Sequence, residues 1–231
     1  MSRITLLFSA LLLSFSVFAQ SKSFTPGAFD MVAVNYGIDA VIKKGAKHSV
    51  SIEADQSVLD VVQVVVEGEQ MKITFDQKDW NRLSKSALRK GIKATIITPA
   101  LSGVLANGGS DVVSKDKWSG DSFKMTANGG ADLTLIVDVK NLKVVCNGGA
   151  DIYLSGSADK VKMTANGGAD IEAENLMTKD ADLTANGAGD ISINVSKSLK
   201  ARANGGSDIE YYGNATMIDV RANGGSDIDR G

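Results

Sequence analysis

The 231-residue chain sets 25 Lys and Arg against 27 Asp and Glu, a formal net charge of −2, with 43% hydrophobic residues and one cysteine. Such a chain has ample material for a core and no electrostatic footprint for nucleic acid. A single Cys excludes an intramolecular disulfide.

Residues 1–19 read as an export signal. Arg3 gives the positive start, Ile4 to Phe18 the apolar run, and Val17-Phe18-Ala19 a small-residue cleavage site before Gln20. The run falls short of the ~20 residues of a membrane span, and Gln20 is not the Cys of a lipid anchor. The expectation is an exported chain without a transmembrane span, in the periplasm or on the cell surface.

Residues 20–100 form a hairpin-rich N-terminal cap region. Alternating segments at Met31–Val34, Ile38–Ile42, Ser49–Glu53, Val61–Val66, Met71–Phe75 and Ile92–Ile97 predict strands, with turns at Tyr36-Gly37, Gly45 and Glu67-Gly68. Polar, basic Asp76 to Gly91 interrupts them as a solvated loop or short helix. His48, the only histidine, is expected at the surface.

Residues 101–231 repeat one phrase seven times, Ala-Asn-Gly-Gly-Ser-Asp or a near variant. Its asparagines are Asn107, Asn128, Asn147, Asn166, Asn186, Asn204 and Asn223, separated by 21, 19, 19, 20, 18 and 19 residues. A near-constant period marks stacked structural units. The flanks alternate: Val144 and Leu142 stand three and five before Asn147, and Ile152 follows Asp151. Period-two patterning with central glycines and β-branched flanks argues for strands over helices. A coil winding once per ~19 residues places like phrases side by side at ~4.8 Å. The predicted fold is therefore all-β: a parallel β-helix of about seven coils continuous with its cap, right-handed because parallel crossovers almost always are.

The phrase is the corner of each coil. Asn and Gly tolerate positive φ, the small residue before Asn points inward, and stacked asparagines can form an amide ladder. Asn186-Gly-Ala-Gly-Asp190 permutes the pattern, so flexibility is expected somewhere in the turn instead of at one fixed residue. Cys146 replaces the inward Ala and reads as a buried structural thiol.

Seven aspartates follow the corner: Asp111, Asp132, Asp151, Asp170, Asp190, Asp208 and Asp227. Carboxylates ~5 Å apart repel by about 0.8 kcal/mol per neighbour even in water. Hydrogen bonds from turn N–H groups are the favoured offset, so no cofactor is required. A Ca²⁺ ion is the alternative, since that cation takes carboxylate oxygens.

The motifs from Phe29 onward resemble the head GIN domain family of auto-transporter adhesin heads. The likeness lies in the entry strand Phe29-Asp30-Met31-Val32, in Gly37-Ile38-Asp39-Ala40-Val41, in Ser49-Val50-Ser51-Ile52-Glu53-Ala54, and in Ile97-Thr98-Pro99-Ala100-Leu101 leading to the first Gly-rich phrase. Where that family usually has Ser-Gly-Ser-Gly-Asp, this chain has Asn in the ladder position. The resemblance implies an exported right-handed β-helix and carries over no catalytic residue.

No nucleophile elbow, zinc-protease motif or phosphate loop is present, which argues against an enzyme. The expected function is adhesin-like binding of a glycan or an envelope protein. Trp118, Tyr153 and Tyr212 are the expected stacking platforms, while Tyr211 falls at an inward position. The alternative is a scaffold built by end-to-end stacking into a homo-oligomer, because the phrase runs on to Asp227-Ile228-Asp229-Arg230 with no distinct cap.

Overall fold

A computed structural model describes residues 20–231; the expected export signal lies outside the described residues. The N-terminal region holds β1 (Gln20–Phe24), β2 (Met31–Val34), β3 (Ile38–Lys44), β4 (Ser49–Ala54), β5 (Val62–Glu67), β6 (Gln70–Phe75) and β7 (Ile92–Thr98). Three short helices interrupt them: α1 (Gln56–Val61), α2 (Gln77–Trp80) and α3 (Lys85–Arg89). Each helix starts on a side-chain cap that satisfies an orphan N–H: Asp55 accepts from Ser57, Asp76 from Lys78, and Ser84 from Ala87.

The repeats fold as β8 (Gly103–Gly108), β9 (Asp111–Gly129), β10 (Asp132–Gly148), β11 (Asp151–Gly167), β12 (Asp170–Gly187), β13 (Ile191–Gly205), β14 (Asp208–Tyr212), β15 (Met217–Gly224) and β16 (Asp227–Arg230). β9 to β13 each run nearly a whole coil, because the chain stays paired with its neighbours round the bends. Every pairing among them is parallel, and equivalent residues face each other: Asp132 meets Asp151, and Asn147 meets Asn166. The result is an all-β parallel β-helix.

The core runs inside the coils. In the coil of β10 the buried residues are Leu133, Leu135, Val137 and Val139, then Leu142, Val144 and Cys146, and, past the strand's end, Ala150. Alternation by two breaks only between Val139 and Leu142 and between Cys146 and Ala150, where the coil turns. Burying each large aliphatic contributes about 1.5–3 kcal/mol.

Two expectations change in the N-terminal region. Among the described residues only β5 and β6 form a hairpin; β3 pairs in parallel with β7 and β9, and β7 pairs antiparallel with β4. Stacking also begins before the repeats. β2 lies on β8 in the repeat register, Val34 opposite Ala106, and Ala40 of β3 lies opposite Val112. Val34-Asn35-Tyr36-Gly37-Ile38-Asp39 is thus a degenerate corner phrase 72 residues ahead of its partner. The antiparallel strands β1 and β4 lie beyond β7, at the outer end of the strand order.

Candidate binding faces of the solenoid

The corner is a continuous amide ladder. Asn107 Nδ2 donates to Asn35 Oδ1, Asn128 to Asn107, Asn147 to Asn128, and so on to Asn223, at 2.6 to 3.0 Å. The glycine after each Asn has φ between +78° and +98° in all seven phrases, while the next residue does not. Positive φ is thus required at one fixed position, which corrects the expectation of interchangeable glycines. The permuted phrase follows this rule: Gly187 keeps the positive φ, Ala188 fills the relaxed position, and Gly189 lies where a Cβ would approach the Ala169 carbonyl. Cys146 is fully buried and its thiol donates to the Ala150 carbonyl at 2.9 Å. Burial first, then the Asp151, Asp170 and Asp132 charges, push its pKa up to about 12, so this thiol stays neutral and inert.

After the corner lies an acidic face. The aspartate column runs in paired register from Asp111 to Asp170 and from Asp208 to Asp227, with Asp190 of the permuted turn between, its amide on the Asp170 carboxylate. In the last coils Asp190, Asp208 and Asp227 donate their backbone N–H to the side chains of Asp170, Asp190 and Asp208. Carboxylates are therefore bonded by the next aspartate's amide, where glycine amides were expected. The offset is incomplete. Burial, then Asp132 and Asp39, raise the pKa of Asp111, and burial, then Asp132 and Asp170, raise that of Asp151. Among the described residues no three His, Cys, Asp or Glu side chains converge on one metal position.

A raised folded pKa means that the native state holds a proton that the unfolded chain has given up. The Asp151 carboxylate therefore costs stability as pH rises from 3.8 through its higher folded value. Asp151→Asn is expected to leave stability unchanged below about pH 3 and to raise the urea midpoint at pH 7. Loss of stability at pH 7 that appears only with Ca²⁺ would instead identify a cation site.

Before the corner lies a basic face. Lys124, Lys143 and Lys162 occupy one column on β9, β10 and β11, and Lys160 stands beside them in the column of Ser122 and Asn141. All four are exposed. They line a groove of about 460 Å³ floored by the buried Phe123, Leu142 and Val161, a size typical of ligand clefts. On the next face round, Lys140 holds Asp121 and Lys179 holds Asp159, both at 2.7 Å. These contacts pull both carboxyl pKa values below the usual range.

The expected aromatic platforms divide. Tyr153 stands exposed on the acidic face. Tyr212 is half-buried beside Glu210, whose hydrogen bond, with burial second, carries the phenol pKa to about 12. Trp118 is no platform. It is 1% exposed, its indole N–H donates to Ser114 at 2.8 Å, and the Lys44 ammonium lies 5.3 Å from its ring. Between β9 and β10 the register shifts at Thr134/Ile136, which places Trp118 opposite inward Val137. His48 is likewise half-buried, packed 4.6 Å from the Phe29 ring, where a surface position was expected. The lysine column was missed, although Lys recurs four residues before Asn128, Asn147 and Asn166.

A family model described as "Putative auto-transporter adhesin, head GIN domain" matches residues 28–215. A solved structure described as a putative adhesin from Bacteroides fragilis shares 21% identity, covering 91% of this chain and 96% of that one, with a TM-score of 0.85. A second putative adhesin, from Parabacteroides merdae, shares 16% identity over 92% and 95%, with a TM-score of 0.71. A protein described as a putative lipid binding protein from Parabacteroides distasonis shares 15% over 91% and 96%, with a TM-score of 0.70. At these identities the likeness is one of fold. No curated protein matches the chain significantly in sequence.

Proposed function

Because this chain belongs to the head GIN domain family, we propose that it is an adhesin-like module of the cell envelope that binds a glycan or another envelope component without catalysis. The observation that carries this reading is the groove across β9, β10 and β11. Three neighbouring coils present one recess of ligand size, on strands whose pairing holds the lining side chains in fixed rows. Rigid rows of this kind suit recognition of a repeating ligand, since little ordering cost is added on binding.

Residues 20–231 on a glycan array, in Ca²⁺ and again in EDTA, test the reading. Binding in both buffers is the expected result. Binding lost in EDTA would move recognition to the aspartate column, and silence in both would remove the glycan arm.

One observation favours a second reading, a scaffold assembled by coil stacking. β15 pairs with β13 on one side, and Met217, Ile218 and Val220 on it are 55%, 46% and 40% exposed. Covering them with another copy would bury apolar surface. Light scattering that finds only monomers at high concentration would exclude it.

A further inference from the structure

Resting on the binding-module reading, the charge pattern of the same groove narrows its ligand. Lys143 lies directly opposite Lys124 on one side and Lys162 on the other. Like charges in facing positions of neighbouring strands are unfavourable. Further along, the same column avoids the problem: Lys162 is followed by Asp182, Lys200 and Asp219, with Lys162 and Asp182 in contact at 3.9 Å. For the other three groove lysines there is no such relief. Among the described residues Lys124, Lys143 and Lys160 form no ion pair.

The acids nearest the groove are engaged elsewhere. Asp121 is held by Lys140 at 2.7 Å. Asp180, opposite Lys160, accepts from the Ser198 hydroxyl at 2.9 Å and lies 3.8 Å from Lys197. At the other end the column opens at Gly103, which faces Lys124 without a side chain. The recess is thus a cationic channel along the rod, open towards β8 and closed by carboxylates at β12.

We propose that this groove binds an acidic polysaccharide, one strand of carboxylate- or sulfate-bearing sugars laid along the rod axis over β9, β10 and β11. The lysines recur at the ~4.8 Å strand spacing, close to the rise of one sugar along an extended chain. Each coil therefore offers one cation per sugar. Ser122 and Asn141, in the adjoining column, add hydroxyl and amide groups suited to sugar hydroxyls. A membrane surface is the poorer fit, because Phe123, Leu142 and Val161 are buried in the floor and offer little apolar surface for insertion.

The test is titration of residues 20–231 with polygalacturonate, dextran sulfate, neutral dextran and phosphatidylglycerol vesicles, at about 0.05 M and about 0.5 M salt. The acidic polymers are expected to bind, and their affinity to fall at least about tenfold at the higher salt. Lys143→Glu is expected to weaken binding at least about tenfold, and the milder Lys162→Gln a few-fold. Lys200→Glu, in the same column beyond the groove, should stay within about twofold of the parent. Single cooperative urea transitions would show that these exposed substitutions leave the fold intact.

Acidic-polymer binding insensitive to Lys143→Glu would overturn the assignment. Binding of neutral dextran alone would overturn it while leaving the glycan module standing, and no carbohydrate binding would remove both. Capture by vesicles alone would assign the lysines to lipid. Low-salt self-association abolished by Lys143→Glu, without polymer binding, would assign them to the acidic face of a second copy.

Discussion

Gly156→Ala is expected to cost about 3–5 kcal/mol in urea unfolding, more than any other single methyl group added to this chain. Gly156 has φ +108°, outside the region open to L side chains, and a Cβ there would lie 2.0 Å from the Val137 carbonyl oxygen. The position is inward: Gly156 faces buried Val137 on β10 and buried Leu176 on β12. Backbone strain accounts for about 1–3 kcal/mol; the rest comes from prising β10 from β11, since the obstructing atom is backbone. Gly149→Ala is the control. Its φ is not positive, and a Cβ would meet the Gly129 carbonyl at 3.8 Å, so a loss of about 0.5 kcal/mol or less is expected. Equal midpoints for the two variants would show that the β10–β11 contact can relax.

Asn147→Ala should cost about 2–3 kcal/mol. The substitution removes two hydrogen bonds between side-chain amides, one donated to Asn128 and one accepted from Asn166, at 2.7 and 2.8 Å. It also strands an acceptor on Asn128 and a donor on Asn166, both partly buried, and stranded groups cost more than a lost bond. Replacing Asn147 with Gln would test whether the loss is of chemistry or of position: the longer amide cannot keep register with both neighbours, so little rescue is expected. If urea midpoints hardly move, the ladder is decoration and the strands alone hold the stack.

The coils were legible because each requirement has its own residue in the phrase: Asn for the ladder, Gly for positive φ, a small residue for the narrow inside. What escaped was whatever departs from the phrase while keeping its geometry. Asn35-Tyr36-Gly37 makes the first corner with Tyr36 at φ +67° where the repeats use glycine. That conformation is costly for a bulky residue. The Tyr36 ring packs against Phe75 and Trp80, at 5.3 and 4.7 Å, contacts no local pattern announces. Trp118 was misplaced for a different reason. Counting by twos from buried Val112 through buried Ser114 already turns Trp118 inward, so the alternation, more than the chemistry of the ring, decides its place. The aspartates drew attention to the acidic face, whereas the groove-forming lysines belong to only three coils and lie outside the phrase.

The stacking order has a mechanical consequence. β1 and β16 lie at opposite ends of the strand order, so a pull between them loads the coils in series. Inter-coil hydrogen bonds then break in succession, as in a zipper, instead of shearing together. Each released coil of ~19 residues pays out roughly 65 Å of chain in exchange for ~4.8 Å of rod. Under tension such a rod would yield in even steps, lengthening while its remaining coils hold.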